Sequence, residues 1–122
     1  MRYPLLVLLL WWPVVGVSQS ANYAEMGHSG SDYLRICEAS SHGEYSDAAI
    51  PCVAFLTGVL DGFSIYSVDS HVQLYSLPKE VTVAQVEKIV VKYMNDHPKE
   101  LNVPTAGLVL WALQDAYPTK KH

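Results

Sequence analysis

The residues best equipped for chemistry in this chain are two cysteines, five histidines and a scatter of carboxylates. Cys37 and Cys52 have no second cysteine pair to complete a zinc site, and their spacing is not the Cys-x-x-Cys of a redox centre. In an oxidising compartment the chemistry left to them is a disulfide with each other, which stabilises by about 3 kcal/mol through restriction of the unfolded chain. His28, His42 and Glu44 fall in polar stretches at no metal-ligand spacing and read as surface residues. Asp61 and Asp69 are roughly two helical turns apart, too far for a shared proton, and read as solvated helix positions. His97 suits a helix carboxyl end, where a cation interacts favourably with the dipole. The chain has no Gly-x-Ser-x-Gly elbow, no glycine-rich phosphate loop and no His-Glu-x-x-His. These residues therefore assign no catalytic group, no metal site and no cofactor, and the chain reads as a binding protein rather than an enzyme.

The location that makes the disulfide sensible is written at the amino terminus. Arg2 precedes Leu5-Leu6-Val7-Leu8-Leu9-Leu10-Trp11-Trp12, and apolar character ends at Val17, short of the about 20 residues a membrane span needs. Ser18 and Ser20 supply the small residues of a signal-peptidase site. Residues 1–20 thus form a cleavable signal peptide, residues 21–122 a single domain in the periplasm, and no stable membrane anchor remains after cleavage. That domain has enough apolar residues for one core. Across the whole chain twelve Asp and Glu outnumber eight Lys and Arg, and between Glu25 and Glu80 only Arg35 and Lys79 are basic. Nucleic acid is excluded as a partner by that balance.

The elements that position these residues are helical. Gly27-His28-Ser29-Gly30-Ser31 reads as a flexible entry, with Ser31 capping a first helix through Glu38. Residues 39–46 form a polar loop. A second, longer helix begins at Ser46 or Asp47, with Pro51 tolerated in the first turn. Its Cys52, Phe55, Val59, Phe63 and Tyr66 recur at helical spacing as a buried stripe, while Ala54, Gly58 and Gly62 form a row of small residues suited to close approach by a neighbouring helix. Asp61 interrupts the apolar run. A loop covers about 68–81. Thr82-Val83-Ala84-Gln85 has the form of a capping box and opens a third helix, whose stripe is Val83, Val86, Val90, Tyr93 and Met94, ending at His97-Pro98. A fourth helix starts at Asn102 or Thr105 with Ala106, Leu110, Leu113 and Tyr117 inward, and stops at Pro118. The fold class is all-α: a small bundle of about four helices, with one disulfide joining the first two.

The order of these features resembles the Tai-type periplasmic immunity proteins, which protect bacteria from amidase toxins delivered by type VI secretion. The resemblance runs through Tyr33-Leu34-Arg35-Ile36-Cys37-Glu38 and Cys52-Val53-Ala54-Phe55-Leu56-Thr57-Gly58-Val59-Leu60-Asp61. It resumes at Leu77-Pro78, Thr82-Val83-Ala84-Gln85-Val86, Lys92-Tyr93-Met94-Asn95-Asp96-His97-Pro98 and Ala112-Leu113-Gln114-Asp115-Ala116-Tyr117-Pro118. Members usually carry two further cysteines where this chain has Ser76 and Thr119. The joint replacement implies that those two positions face each other.

The resemblance implies an all-helical domain, with a homodimer as one assembly, that binds a cognate peptidoglycan amidase effector and blocks its cleft. The competing class is a small periplasmic helical stress chaperone without toxin specificity, which would expose dye-binding apolar surface near pH 3. For the partner-binding residues, the loop segment Asp69-Ser70-His71-Val72-Gln73-Leu74-Tyr75 combines an aromatic anchor with polar neighbours. It designates Asp69, His71, Gln73, Leu74 and Tyr75, with core cover as the alternative role for Leu74 and Tyr75. Protein recovered from the periplasm is expected to begin near Ala21 and to hold one Cys37–Cys52 bridge. Intact-mass analysis with thiol labelling checks this, and an attached leader or two free thiols contradicts it.

Overall fold

The computed structural model describes residues 23–42 and 49–120. The leader, its cleavage position, Glu44 and the expected helix start at Ser46 or Asp47 lie outside those residues. Within them the chain forms helices α1 (Tyr23–His28), α2 (Gly30–Cys37), α3 (Ala49–Ser70), α4 (Val83–Asp96) and α5 (Thr105–Ala116). Short 3-10 turns at Ala39–His42 and Pro98–Glu100 follow α2 and α4, and no strand occurs among the described residues. The all-α bundle expected from periodicity is therefore present, with α1 added before it.

That addition corrects the reading of residues 27–31 as a flexible entry. Ser29, not Ser31, caps α2: its backbone is extended and its Oγ accepts from the Asp32 N–H at 3.2 Å. The Asp32 carboxylate in turn accepts from Ser29 Oγ at 2.9 Å, and this bond, with His28 and Arg35 nearby, holds the carboxyl below its usual range. The free amides of the first turn of α2 are also satisfied, Gly30 N–H by Val103 O and Ser31 N–H by Leu101 O, both at 3.1 Å. Both acceptors belong to the α4–α5 connection, so the sharp α1–α2 corner is bonded to a part of the chain far away in sequence. Gly30 suits that corner because a Cβ there would lie 2.3 Å from Leu108 Cδ1 and force that buried side chain to move.

Thr105 locks the same corner from the other side. It is fully buried, and its single Oγ1–H is shared between the carbonyls of Met26 and Ser29, the latter at 2.9 Å. This sets the roll of α5. The expected inward stripe of Ala106 and Leu110 is corrected: Ala106 is exposed and Leu110 half-buried, while Leu108, Val109, Ala112 and Leu113 are buried. Residues 106–113 are apolar on every side, so periodicity selects no face, and Thr105's need for acceptors decides it.

The capping box of α4 is formed as expected, with Gln85 N–H to Thr82 Oγ1 at 3.2 Å and Thr82 N–H to Gln85 Oε1 at 2.8 Å. Val86, Val90 and Met94 are buried and pack with Met26, Tyr33, Leu56, Leu108 and Leu113 in one core. Glu87, also buried, is bonded by Ser40 Oγ from the turn after α2. The Cys37–Cys52 disulfide is formed, with Cα atoms 5.8 Å apart, and joins the end of α2 to the first turns of α3. Ser76 N–H donates to Tyr117 O at 2.9 Å, which brings Ser76 against the backbone just before Thr119.

Two substitutions test whether the corner governs stability. Thr105→Val removes the hydroxyl donor from Met26 O, while Ser29 O keeps Tyr33 N–H, and is expected to lower unfolding free energy by about 1–3 kcal/mol. Gly30→Ala overpacks the site and is expected to cost a similar about 1–3 kcal/mol. Urea unfolding monitored by far-UV circular dichroism measures both, and stability unchanged within error in either contradicts the assignment.

Candidate protein-binding surface

Helix α3 is the longest element, 22 residues, yet only Ala49, Cys52 and Leu56 are buried along it. Its composition explains this. Apolar residues occur all round the helix, so one side serves the core while the other has no intramolecular use. Phe55, Val59, Leu60 and Phe63 pack against the edge of the core. The opposite face is open: Ile65 is 71% exposed, Val68 74% and, beyond the helix end, Val72 48%, while Tyr66, on the Phe63 side, is 53% exposed. Tyr66 had been expected in the buried stripe. It shares the side of Phe63, three residues before it, yet is more than half exposed near the helix end.

The small-residue row is corrected too. Close approach by a helix was expected at Gly58 and Gly62, but a Cβ built at either meets nothing within 4 Å. The helix is long and apolar enough to cross a bilayer by length and composition. Its first turns are instead bound into the core by Cys52 and Leu56, and Asp61 sits in its middle. Asp61, Ile65, Val68 and Asp69 follow one another at helical spacing, giving an apolar ridge edged by two carboxylates, with no cation anywhere in Ala49–Ser70.

At the end of α3 the chain reverses through His71, whose φ of 57° places it in the left-handed region. Residues 71–78 then run back without turn or bend. Tyr75 meets Phe63 edge-on, ring centroids 6.2 Å apart, and burial raises its hydroxyl pKa. Leu74 O accepts from Gln114 Nε2 at 3.3 Å. Between this segment and α3 lies an open groove of about 680 Å³, lined by Ser64, Ser67, Gln73–Pro78 and Lys120.

The five residues designated from sequence therefore divide. Gln73, Leu74 and Tyr75 come together on the groove, with Leu74 and Tyr75 half-buried, so core cover is part of their work. Asp69 and His71 are exposed at the tip of the reversal and belong with the ridge. Sequence reasoning missed Ile65, Val68 and Val72. The available signal was the lack of any polar face on α3, which means that some apolar side must stay uncovered.

A smaller cavity of about 200 Å³ lies between α4 and α5, where the Tyr93 and His97 rings stack with centroids 4.0 Å apart. His97 Nδ1 donates to Tyr93 O at 2.7 Å, Tyr93 OH donates to Glu100 at 3.2 Å, and Lys92 pairs with Asp96 at 2.5 Å. These groups satisfy one another and fit a structural role at the end of α4. No group of His, Cys, Asp and Glu among the described residues is arranged to hold a metal ion.

Residues 29–119, from the cap of α2 to the tail beyond α5, match the sequence profile of the Rap1a immunity proteins. The chain belongs to the Rap1a immunity protein family. It is thereby an immunity protein directed at a secreted toxin. No curated protein and no solved structure matches it.

The division into ridge and support is measurable in the free Rap1a-family protein. Gly58→Ala and Gly62→Ala meet open space and are expected to stabilise the monomer by about 0.5–1 kcal/mol each. Ile65→Ser and Val68→Ser are expected to leave the melting temperature nearly unchanged, whereas Tyr75→Ala costs about 1–3 kcal/mol. Thermal melts that reverse this order contradict the division.

Proposed function

We propose that this protein is a periplasmic immunity protein that binds a peptidoglycan amidase toxin delivered by type VI secretion and blocks it. The residues matching the Tai-type pattern support the amidase as target, and the apolar leader supports export. One observation carries the binding mode: the ridge of Ile65, Val68 and Val72, edged by Asp61 and Asp69 and ending at His71, stands outside a core that has no use for it. Exposed apolar surface rimmed by polar groups marks a protein-binding site. The carboxylates at its edge favour a partner with basic residues around an apolar hollow, since opposite charges raise the association rate and reject wrong partners. A homodimer is compatible with this mode and is not required by it. The stress-chaperone alternative has no observation in its favour.

The test uses a purified exported amidase of the type VI class, taken first from any such gene found beside the one for this chain. Equimolar immunity protein is expected to abolish its hydrolysis of purified peptidoglycan. Val68→Asp and His71→Ala are each expected to weaken binding by at least tenfold, about 1.4 kcal/mol, with unchanged melting temperature. An amidase that stays fully active contradicts the amidase reading. Inhibition that survives both substitutions shows that the ridge is not the contact.

A further inference from the structure

The groove beside the ridge has a property that the ridge lacks. In extended backbone the N–H and C=O of one residue point to one side and those of the next residue to the other. Ser76 N–H donates to Tyr117 O, and Leu74 O accepts from Gln114 Nε2, so the even-numbered residues of this segment are turned toward α5 and the tail. Gln73, Tyr75 and Leu77 are turned the other way. Their backbone N–H and C=O groups have no partner among the described residues, and all three residues line the groove. Pro78, which has no N–H, ends the row. The chain thus carries a short open strand edge, which is the kind of edge that pairs with another extended segment.

The groove wall adds chemistry to that edge. Ser64 and Ser67 from α3 supply hydroxyls, and among the described residues Lys120 is the one charged side chain lining it. Its volume, about 680 Å³, lies in the range of sites that enclose a small ligand or a short peptide. In an acidic chain, a lysine placed in such a groove selects for a carboxylate.

Resting on the immunity reading, we propose that this groove takes an extended segment of the toxin, paired through the main chain with Gln73, Tyr75 and Leu77 and bearing a carboxylate that meets Lys120. The ridge and the groove then grip the same partner on two sides of the α3 reversal. Main-chain pairing fixes the register of the bound segment, and Lys120 fixes its direction. About five residues of partner match the edge at about 3.3 Å per residue.

Amide-resolved hydrogen exchange on the full mature protein, free and bound to a catalytically inactive form of the amidase that it inhibits, tests this. In the free protein the Gln73, Tyr75 and Leu77 amides are expected to exchange freely while that of Ser76 is protected. In the complex, at least two of the three are expected to slow by tenfold or more. Ser67→Trp, which fills the groove, and Lys120→Glu, which reverses its charge, are each expected to weaken binding by about tenfold or more with an unchanged melting temperature. A stable complex in which these amides still exchange freely, or in which both variants bind as the parent does, overturns the groove proposal and leaves the immunity reading standing. The absence of any complex overturns both.

Discussion

The Cys37–Cys52 bond fixes the point at which α3 leaves the core, and the rest of the surface follows from that point. Cys52 and Leu56 bury the start of the helix against α2 and the core. Beyond them α3 keeps only its Phe55, Val59, Leu60 and Phe63 side in contact with the rest of the chain. A helix of this length without the bridge would have to hold its place by one half-buried face alone. The bridge restricts the unfolded chain and so lets the sequence spend the outer face of α3 on something other than folding. Ile65 and Val68 at more than two-thirds exposure are the result.

A binding surface on a projecting helix is useful only if its base is rigid. Rigidity here comes from a few buried polar bonds at the opposite side of the domain. Thr105 bonds Met26 O and Ser29 O, Gly30 N–H bonds Val103 O, and Ser31 N–H bonds Leu101 O, so the α1–α2 corner and the α4–α5 connection hold each other's unsatisfied groups. Hydrogen bonds between such distant segments act as register marks: a hydrophobic core tolerates small rotations, whereas a buried carbonyl without a donor costs about 1–3 kcal/mol. The roll of α5 is therefore set by Thr105 and not by its apolar residues. That roll in turn places Gln114 and Tyr117 where they hold Leu74 and Ser76.

Much of this was legible in the residues, and the illegible parts share one physical cause. The capping box at Thr82 and Gln85, the proline stops and the cysteine pair are local chemistry, and each stands where the sequence puts it. Helix α4 has a polar face, and its buried Val86, Val90 and Met94 were readable from spacing. Helices α3 and α5 are apolar on all sides, so spacing could not say which side faces in. Tyr66 was read inward and lies outward, and Ala106 likewise. The glycine row was read as a helix contact because small residues permit one, yet permission within the chain is not use. Ser29 and Ser31 were equally good caps by type, and the choice fell to Ser29 because Ser31's amide is claimed by Leu101 O. Of the proposed binding surface, the loop residues were visible as a combination of aromatic and polar types, but the ridge was not, since exposure of Ile65 and Val68 is a consequence of tertiary geometry alone.

An immunity protein must bind its toxin tightly while ignoring the host's own enzymes, and these demands draw on different interactions. Apolar burial supplies affinity without direction: fully covering side chains of the size of Ile65 or Val68 contributes about 1.5–3 kcal/mol each, whatever covers them. A ridge alone would therefore be sticky rather than selective. Carboxylates at its edge make selectivity possible, because Asp61 and Asp69 lose their water on contact and regain that energy only against a cation placed to receive them. His71 adds a geometric condition. Its left-handed backbone turns the chain back along α3, so the ridge and the groove lie on either side of one reversal. A partner that satisfies only the ridge leaves the carboxylates unpaired, and a partner that satisfies only the charges leaves the ridge in water. Joining the two kinds of surface on one rigid helix end is what allows a domain of about a hundred residues to combine affinity with choice.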